Sequence, residues 1–229
     1  MQTIKTFGDS FFWGNDLSDC AGDPVIADNP ATGQTHLVGW SESTWPALLA
    51  QQFDMEYYCQ ARGGVSNSYI ARSILEHADD NALNVIQWTW IDRHEYVNTD
   101  YHQWEPIRPS ESDEVSQNYY KHCQSELQDK WFNLNIIVNT LKYLEDHRIN
   151  YVCHVLDQII FDKKFHAPVY ITKLQQYLQT RVTWFPEQTT FFEWSKLNKF
   201  DISDNWHPLE QAHEEAAAVM KHTYERHCK

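Results

Sequence analysis

Apolar residues recur along this chain with two periods, short runs suited to strands and longer runs suited to helices. Residues 2–7, QTIKTF, carry β-branched side chains and end at Gly8, which predicts a first strand and its turn. Residues 43–53, STWPALLAQQF, predict a short helix with Ser43 as a cap. Residues 54–61 predict a strand that stops at Arg62-Gly63-Gly64, and over 66–78 Ile70, Ile74, Leu75 and Ala78 fall at helical spacing. The run ALNVIQWTW at 82–90 is largely apolar, as a strand buried on both faces should be. Residues 92–117 are polar and broken by prolines, so an extended loop or lid is expected there. Across 118–147, Leu127, Trp131, Leu134, Ile137, Val138, Leu141 and Leu144 recur at three and four residues with no internal Pro or Gly, which predicts one long helix. Residues 149–157 read as the next buried strand and 181–185 as a shorter last one. The chain closes with a helix over 208–227, with Glu210, Glu214 and Glu215 early and Lys221, Arg226 and His227 late, as the macrodipole favours.

Strands alternating with helical segments imply parallel strands joined by crossovers. The expected fold is α/β, a three-layer α/β/α sandwich of flavodoxin-like type around a parallel sheet of about five strands. Its 229 residues suit a single domain over 1–229. Ligands in such folds sit at the carboxyl ends of the strands, where Gly8-Asp9-Ser10, Gly63-Gly64 and Thr89-Trp90 all fall.

Charge narrows the partners. Lys and Arg number 18 against 32 for Asp and Glu, a net charge of −14, and no segment is basic enough to track a phosphate backbone, so nucleic acid is not an expected partner. No apolar run approaches the roughly 20 residues of a membrane helix, and no secretory leader is visible, so no membrane partner and a cytoplasmic location are expected. The five cysteines, Cys20, Cys59, Cys123, Cys153 and Cys228, lack close C-x-x-C pairs and read as reduced thiols, with Cys59 and Cys153 packed in strands. The twelve histidines are scattered, the pair His207 and His213 crosses a helix start, and neither a metal nor a cofactor is expected.

Ser10, just past the first strand, stands where a nucleophile would. A base and its orienting acid are offered by SDNWHP near the C-terminus, where Asp204 and His207 lie three residues apart and Pro208 keeps His207 extended before the last helix. Backbone N–H groups of Gly64 and of Ser10 itself are candidate oxyanion donors. Ser66 and Asn67 read as caps of the helix that follows Gly64.

The stretches FGDS, GGVSN and DNWH resemble blocks I, II and V of the SGNH or GDSL hydrolase superfamily, in that order and across nearly the whole chain. The resemblance implies a serine hydrolase acting on ester bonds, with Ser10 as nucleophile, His207 as base, Asp204 as the orienting acid, and Ser10 and Gly64 in the oxyanion hole. The third block departs. The family's Gly-x-Asn-Asp is here QWTWIDRHE, with Ile91 where the asparagine would stand, so one side-chain donor is lost or replaced. Asn67, Thr89 and Arg93 are the candidate substitutes for contact with substrate or oxyanion. Family analogy points to an O-acetylated carbohydrate or another small ester as substrate. Tyr96, Tyr101, Trp104 and Trp13 are aromatic faces for a sugar ring, or equally a small core under the long loop. Two rival readings stand beside the hydrolase: an O-acyltransferase, and a catalytically weakened relative that binds carbohydrate or a protein.

Overall fold

In the computed structural model, which describes residues 3–22, 25–28, 35–163 and 168–226, four parallel strands form the central sheet. Their order is β4 (Glu56–Cys59), β1 (Thr3–Phe7), β5 (Ala82–Trp88) and β8 (Tyr151–Val155). Register runs Ile4 beside Tyr57 and Leu83, and Ile86 beside Cys153. Every residue of β5 is buried, as its largely apolar run predicts, the polar Asn84 and Gln87 included.

Because side chains alternate across a strand, the sheet feeds two cores. Ile4, Leu83, Val85 and Val152 pack on one side with α1 (Ser10–Trp13), α2 (Trp45–Gln52), α7 (Phe191–Leu197) and α8 (Glu210–Tyr224). Phe7, Ile86, Trp88 and Cys153 pack on the other with α3 (Asn67–His77), α5 (Glu126–Asp146) and α6 (Val169–Gln179). Helices on both faces of a parallel sheet make the expected three layers.

The structure corrects several expectations. Residues 92–117 are not an extended loop: β6 (His94–Asn98) and β7 (Gln103–Ile107) pair as an antiparallel hairpin, and α4 (Glu114–His122) follows. The long helix expected over 118–147 is interrupted at 123–125. Asp129 in the first turn of α5 is almost fully buried and takes contacts from His94 Nε2 at 2.9 Å and Gln124 Nε2 at 3.1 Å, which ties this junction to the hairpin. Leu127 and Trp131 face solvent, so the core stripe of α5 begins near Leu134, and Leu75 on α3 is likewise exposed. Residues 181–185 contribute one parallel bridge, Val182 to Cys153, and not a fifth strand. A further hairpin, β2 (Val25–Asp28) with β3 (Thr35–Val38), lies where no element was expected. His227 and Cys228 lie outside the described residues.

Candidate active site

Ser10 is the first residue of α1, immediately beyond β1, and is 5% exposed. What holds this turn is Asp9, fully buried, whose Oδ1 accepts the Phe11 N–H at 3.1 Å and so caps the helix. Its Oδ2 accepts Thr89 Oγ1 at 2.6 Å and Arg93 Nη1 at 3.2 Å. A buried carboxylate is tolerated only when its lone pairs are met, and here the first turn of α1 and the segment after β5 meet them together.

His207 turns one ring nitrogen to Ser10, with Nε2 at 2.9 Å from Oγ, as the sequence reading expected. Its other nitrogen is not on Asp204. Nδ1 lies 2.8 Å from Asp16 Oδ2. The reason is the turn that carries His207: Ser203 N–H donates to His207 O at 2.9 Å and Trp206 N–H to Ser203 O at 3.0 Å, and this closure leaves Asp204 exposed. The same turn presents Ser203 Oγ and Asn205 Nδ2 to Asp16 Oδ2 at 2.6 and 3.2 Å. Burial pushes the Asp16 carboxyl up, but the hydrogen bonds from Ser203, His207 and Asn205 and the charge of His207 outweigh it and hold it below its ordinary value. Asp16 reaches this position because α1 stops after one turn. Gly14 takes φ +83 there, and a Cβ at that position would collide with Ser41 and Thr44. Asp16 follows at φ +69.

The Gly63-Gly64 turn is drawn alongside the nucleophile by Arg62 N–H, which donates to Gly8 O at 3.2 Å. Gly64 has φ +72, and a Cβ there would overlap Arg108 Nη1 from the segment after β7. The N–H groups of Ser10 and Gly64 donate to no other group among the described residues.

The three candidate substitutes for the missing asparagine are otherwise engaged. Asn67 is fully buried, exchanges bonds with the Thr89 backbone, N–H to Oδ1 at 2.8 Å and Nδ2 to O at 3.1 Å, and also donates to Asn133 at 2.8 Å. Thr89 Oγ1 donates to Asp9 and accepts from Arg93 Nη1 at 3.0 Å. Arg93 thus braces the buried Asp9. Ile91 itself is buried, its N–H on Asp157 at 3.2 Å and its O taken by Asn133 at 2.8 Å. Ser66 does cap α3, accepting Tyr69 N–H at 3.2 Å.

A cavity of about 390 Å³ opens beside Gly63-Gly64, bounded on its far side by the hairpin residues His94, Glu95, Trp104 and Pro106. Trp104 is half-exposed on its rim and Tyr101 largely exposed at the hairpin tip, Tyr96 bonds Glu105 at 2.9 Å, and Trp13 is core, its Nε1 on Gly22 O at 2.7 Å. Asp16 and Arg108 are the two residues sequence reading missed. Neither stands in a recognisable spacing, and the only local cue for Asp16 is its nearness to Ser10. Among the described residues, no cluster of three or more His, Cys, Asp or Glu could hold a metal, and no helix is long and apolar enough to cross a membrane.

No protein-family model matches the chain, and no curated protein matches it in sequence. Solved structures do match in fold. The psychrotrophic esterase EstA from Pseudoalteromonas sp., in a structure inhibited by monoethylphosphonate, aligns at 9% identity over 99% of this chain and 98% of its own, with a TM-score of 0.52. A carbohydrate esterase family 2 enzyme with a carbohydrate-binding domain, from Corynascus thermopiles (Myceliophthora fergusii), aligns at 12% identity over 99% of this chain and 66% of its own, with a TM-score of 0.50. The acetyl xylan esterase Est2A from the rumen bacterium Butyrivibrio proteoclasticus aligns at 10% identity and a TM-score of 0.47 over 98% of this chain, which spans 63% of that protein's length. The parallel sheet, the order of the sequence blocks along it and the likeness to EstA and to the family 2 carbohydrate esterase agree: the chain has the fold of the SGNH/GDSL hydrolases.

Proposed function

We propose that this protein is a serine esterase that works through an acyl-enzyme on Ser10, with His207 as base and Asp16 as the orienting acid. The observation that carries the reading is the continuous relay from Ser10 Oγ through both ring nitrogens of His207 to Asp16, at 2.9 and 2.8 Å. With Asp16 accepting from Nδ1–H, the ring presents Nε2 to take the hydroxyl proton of Ser10. Ser10 Oγ attacks the ester carbonyl, the oxyanion is met by the N–H groups of Ser10 and Gly64, and His207 returns the proton to the departing alcohol. Water, deprotonated by the same histidine, then releases the acid and restores Ser10.

An O-acetylated carbohydrate is the proposed substrate class. Trp104 and Tyr101 offer aromatic faces on the hairpin, and a carbohydrate esterase shares the fold. The test is labelling by a fluorophosphonate. Wild type should be modified at Ser10 and should release p-nitrophenol from p-nitrophenyl acetate, while Ser10→Ala, folded as judged by circular dichroism, should do neither. Equal turnover by both proteins would sink the reading.

A further inference from the structure

The cavity beside Gly64 is lined by Arg62, Arg72 and Arg108, in a chain whose net charge is −14. Two of these guanidinium groups are held in place. Arg72 pairs with Glu95 and lies over the Trp104 ring at 4.1 Å, while Arg108 pairs through Nη2 with Glu111. Arg62 forms no ion pair among the described residues. Three cations therefore face two carboxylates.

The polar accounting at this cavity is also incomplete. Arg108 Nε is buried without a hydrogen-bond partner, and so is Asn15 Oδ1 across the Gly63-Gly64 turn. Buried donors on a charged group are nearly always satisfied in a folded protein, because leaving one unmet costs its full desolvation. Nη1 of the same guanidinium lies against Gly64, where a residue with a Cβ could not be accommodated. A donor-rich, partly desolvated arginine, a second arginine without a counter-ion and an indole face at the rim suit an organic anion of sugar size.

We propose that this cavity is a carboxylate-binding subsite, and that the ester substrate carries an acidic sugar whose carboxylate is held by Arg108 and Arg62. The proposal rests on the esterase reading for the ester itself, but not for the binding of the anion. It predicts that the enzyme discriminates against neutral sugars of the same size.

The test measures binding alone, so that it is independent of turnover. Isothermal titration calorimetry on the full-length Ser10→Ala protein would compare a hexuronate disaccharide with its carboxyl-reduced neutral counterpart and with inorganic phosphate. The acidic disaccharide should bind at least tenfold more tightly than the neutral one. Arg108→Gln and Arg62→Gln, each checked for an unchanged melting temperature, should each weaken the acidic ligand at least tenfold. Affinity equal for the acidic and neutral sugars, affinity unaffected in both variants, or binding of phosphate in preference to the hexuronate would each overturn the carboxylate assignment. Labelling of Ser10 in the wild type, measured separately, reports on the esterase reading whichever way the titration falls.

Discussion

Asp16, rather than Asp204, is where the proposed chemistry is most sharply testable, since the two carboxylates differ in what they touch. Asp16→Ala removes the acceptor at His207 Nδ1 and leaves the ring free to take the other tautomer, so kcat for p-nitrophenyl acetate should fall on the order of 10²–10⁴-fold. Asp204→Ala, on the exposed side of the turn, should leave kcat within about twofold. A matched loss in both variants would remove Asp16 from its role. Because its folded value lies below the ordinary 3.8, the Asp16 carboxyl contributes stability that is present above 3.8 and is lost as pH falls through the lowered value. Arg93 acts through Asp9. Arg93→Ala leaves a fully buried carboxylate without its cation and should destabilise the protein by about 2–3 kcal/mol in urea unfolding. Arg93→Lys should recover part of that loss. An alanine variant as stable as wild type would show that Thr89 and the Phe11 N–H suffice to hold Asp9.

At the scale of elements, α2 and α8 are joined by a histidine that acts as a cap. Thr44 makes no side-chain bond to the first turn of α2, and the Trp45 N–H donates instead to Nδ1 of His213 on α8, at 3.0 Å. Burial pushes His213 down to about 3, and likewise His154 in β8, whose Nε2 meets Tyr224 Oη at 2.8 Å. Each folded value lies below the ordinary 6.5, so the unfolded chain binds more protons between the two, and stability is lost as pH falls from about 6.5 toward 3. Each histidine contributes a slope of about 1.4 kcal/mol per pH unit in that window. His213→Gln keeps an acceptor but cannot titrate, and its unfolding free energy should fall less steeply between pH 6 and 4, by about one proton's worth. An unchanged slope would mean that His213 is not neutral in the fold.

Whole-molecule cooperativity is open to a thiol reagent. Cys59 and Cys153 sit in β4 and β8 on opposite faces of the sheet, both buried, with burial raising their thiols to about 11 and about 12. Cys123, at the α4–α5 junction, is exposed. At pH 8 an aromatic disulfide reagent should modify Cys123 within the mixing period and reach Cys59 and Cys153 only when the sheet opens. The two slow thiols should therefore react at a common rate that tracks global unfolding. Reaction of Cys59 well ahead of Cys153 would indicate that the β4 edge opens by itself.

Much of this architecture follows from local pattern, because burial on both faces makes a strand such as β5 largely apolar and an amphipathic helix such as α3 periodic, whatever lies across from them. The turn chemistry at Gly8-Asp9-Ser10 and Gly63-Gly64 is local in the same sense, and so is the placing of His207 before α8 by Pro208. Contacts between distant segments leave no such trace. The hairpin of 94–107 is half-buried or exposed along nearly its whole length, so its strands carry no apolar alternation strong enough to read. The break before α5 answers to a bond between Asp129 and His94, and the solvent-facing Leu127 and Trp131 belong to the part of that helix beyond the core. The partner of His207 Nδ1 was decided by which carboxylate the folded chain delivers to it. Asp204 was nearer in sequence, but a tight turn points it outward, and the chain 191 positions away, bent back by Gly14, brings Asp16 in instead.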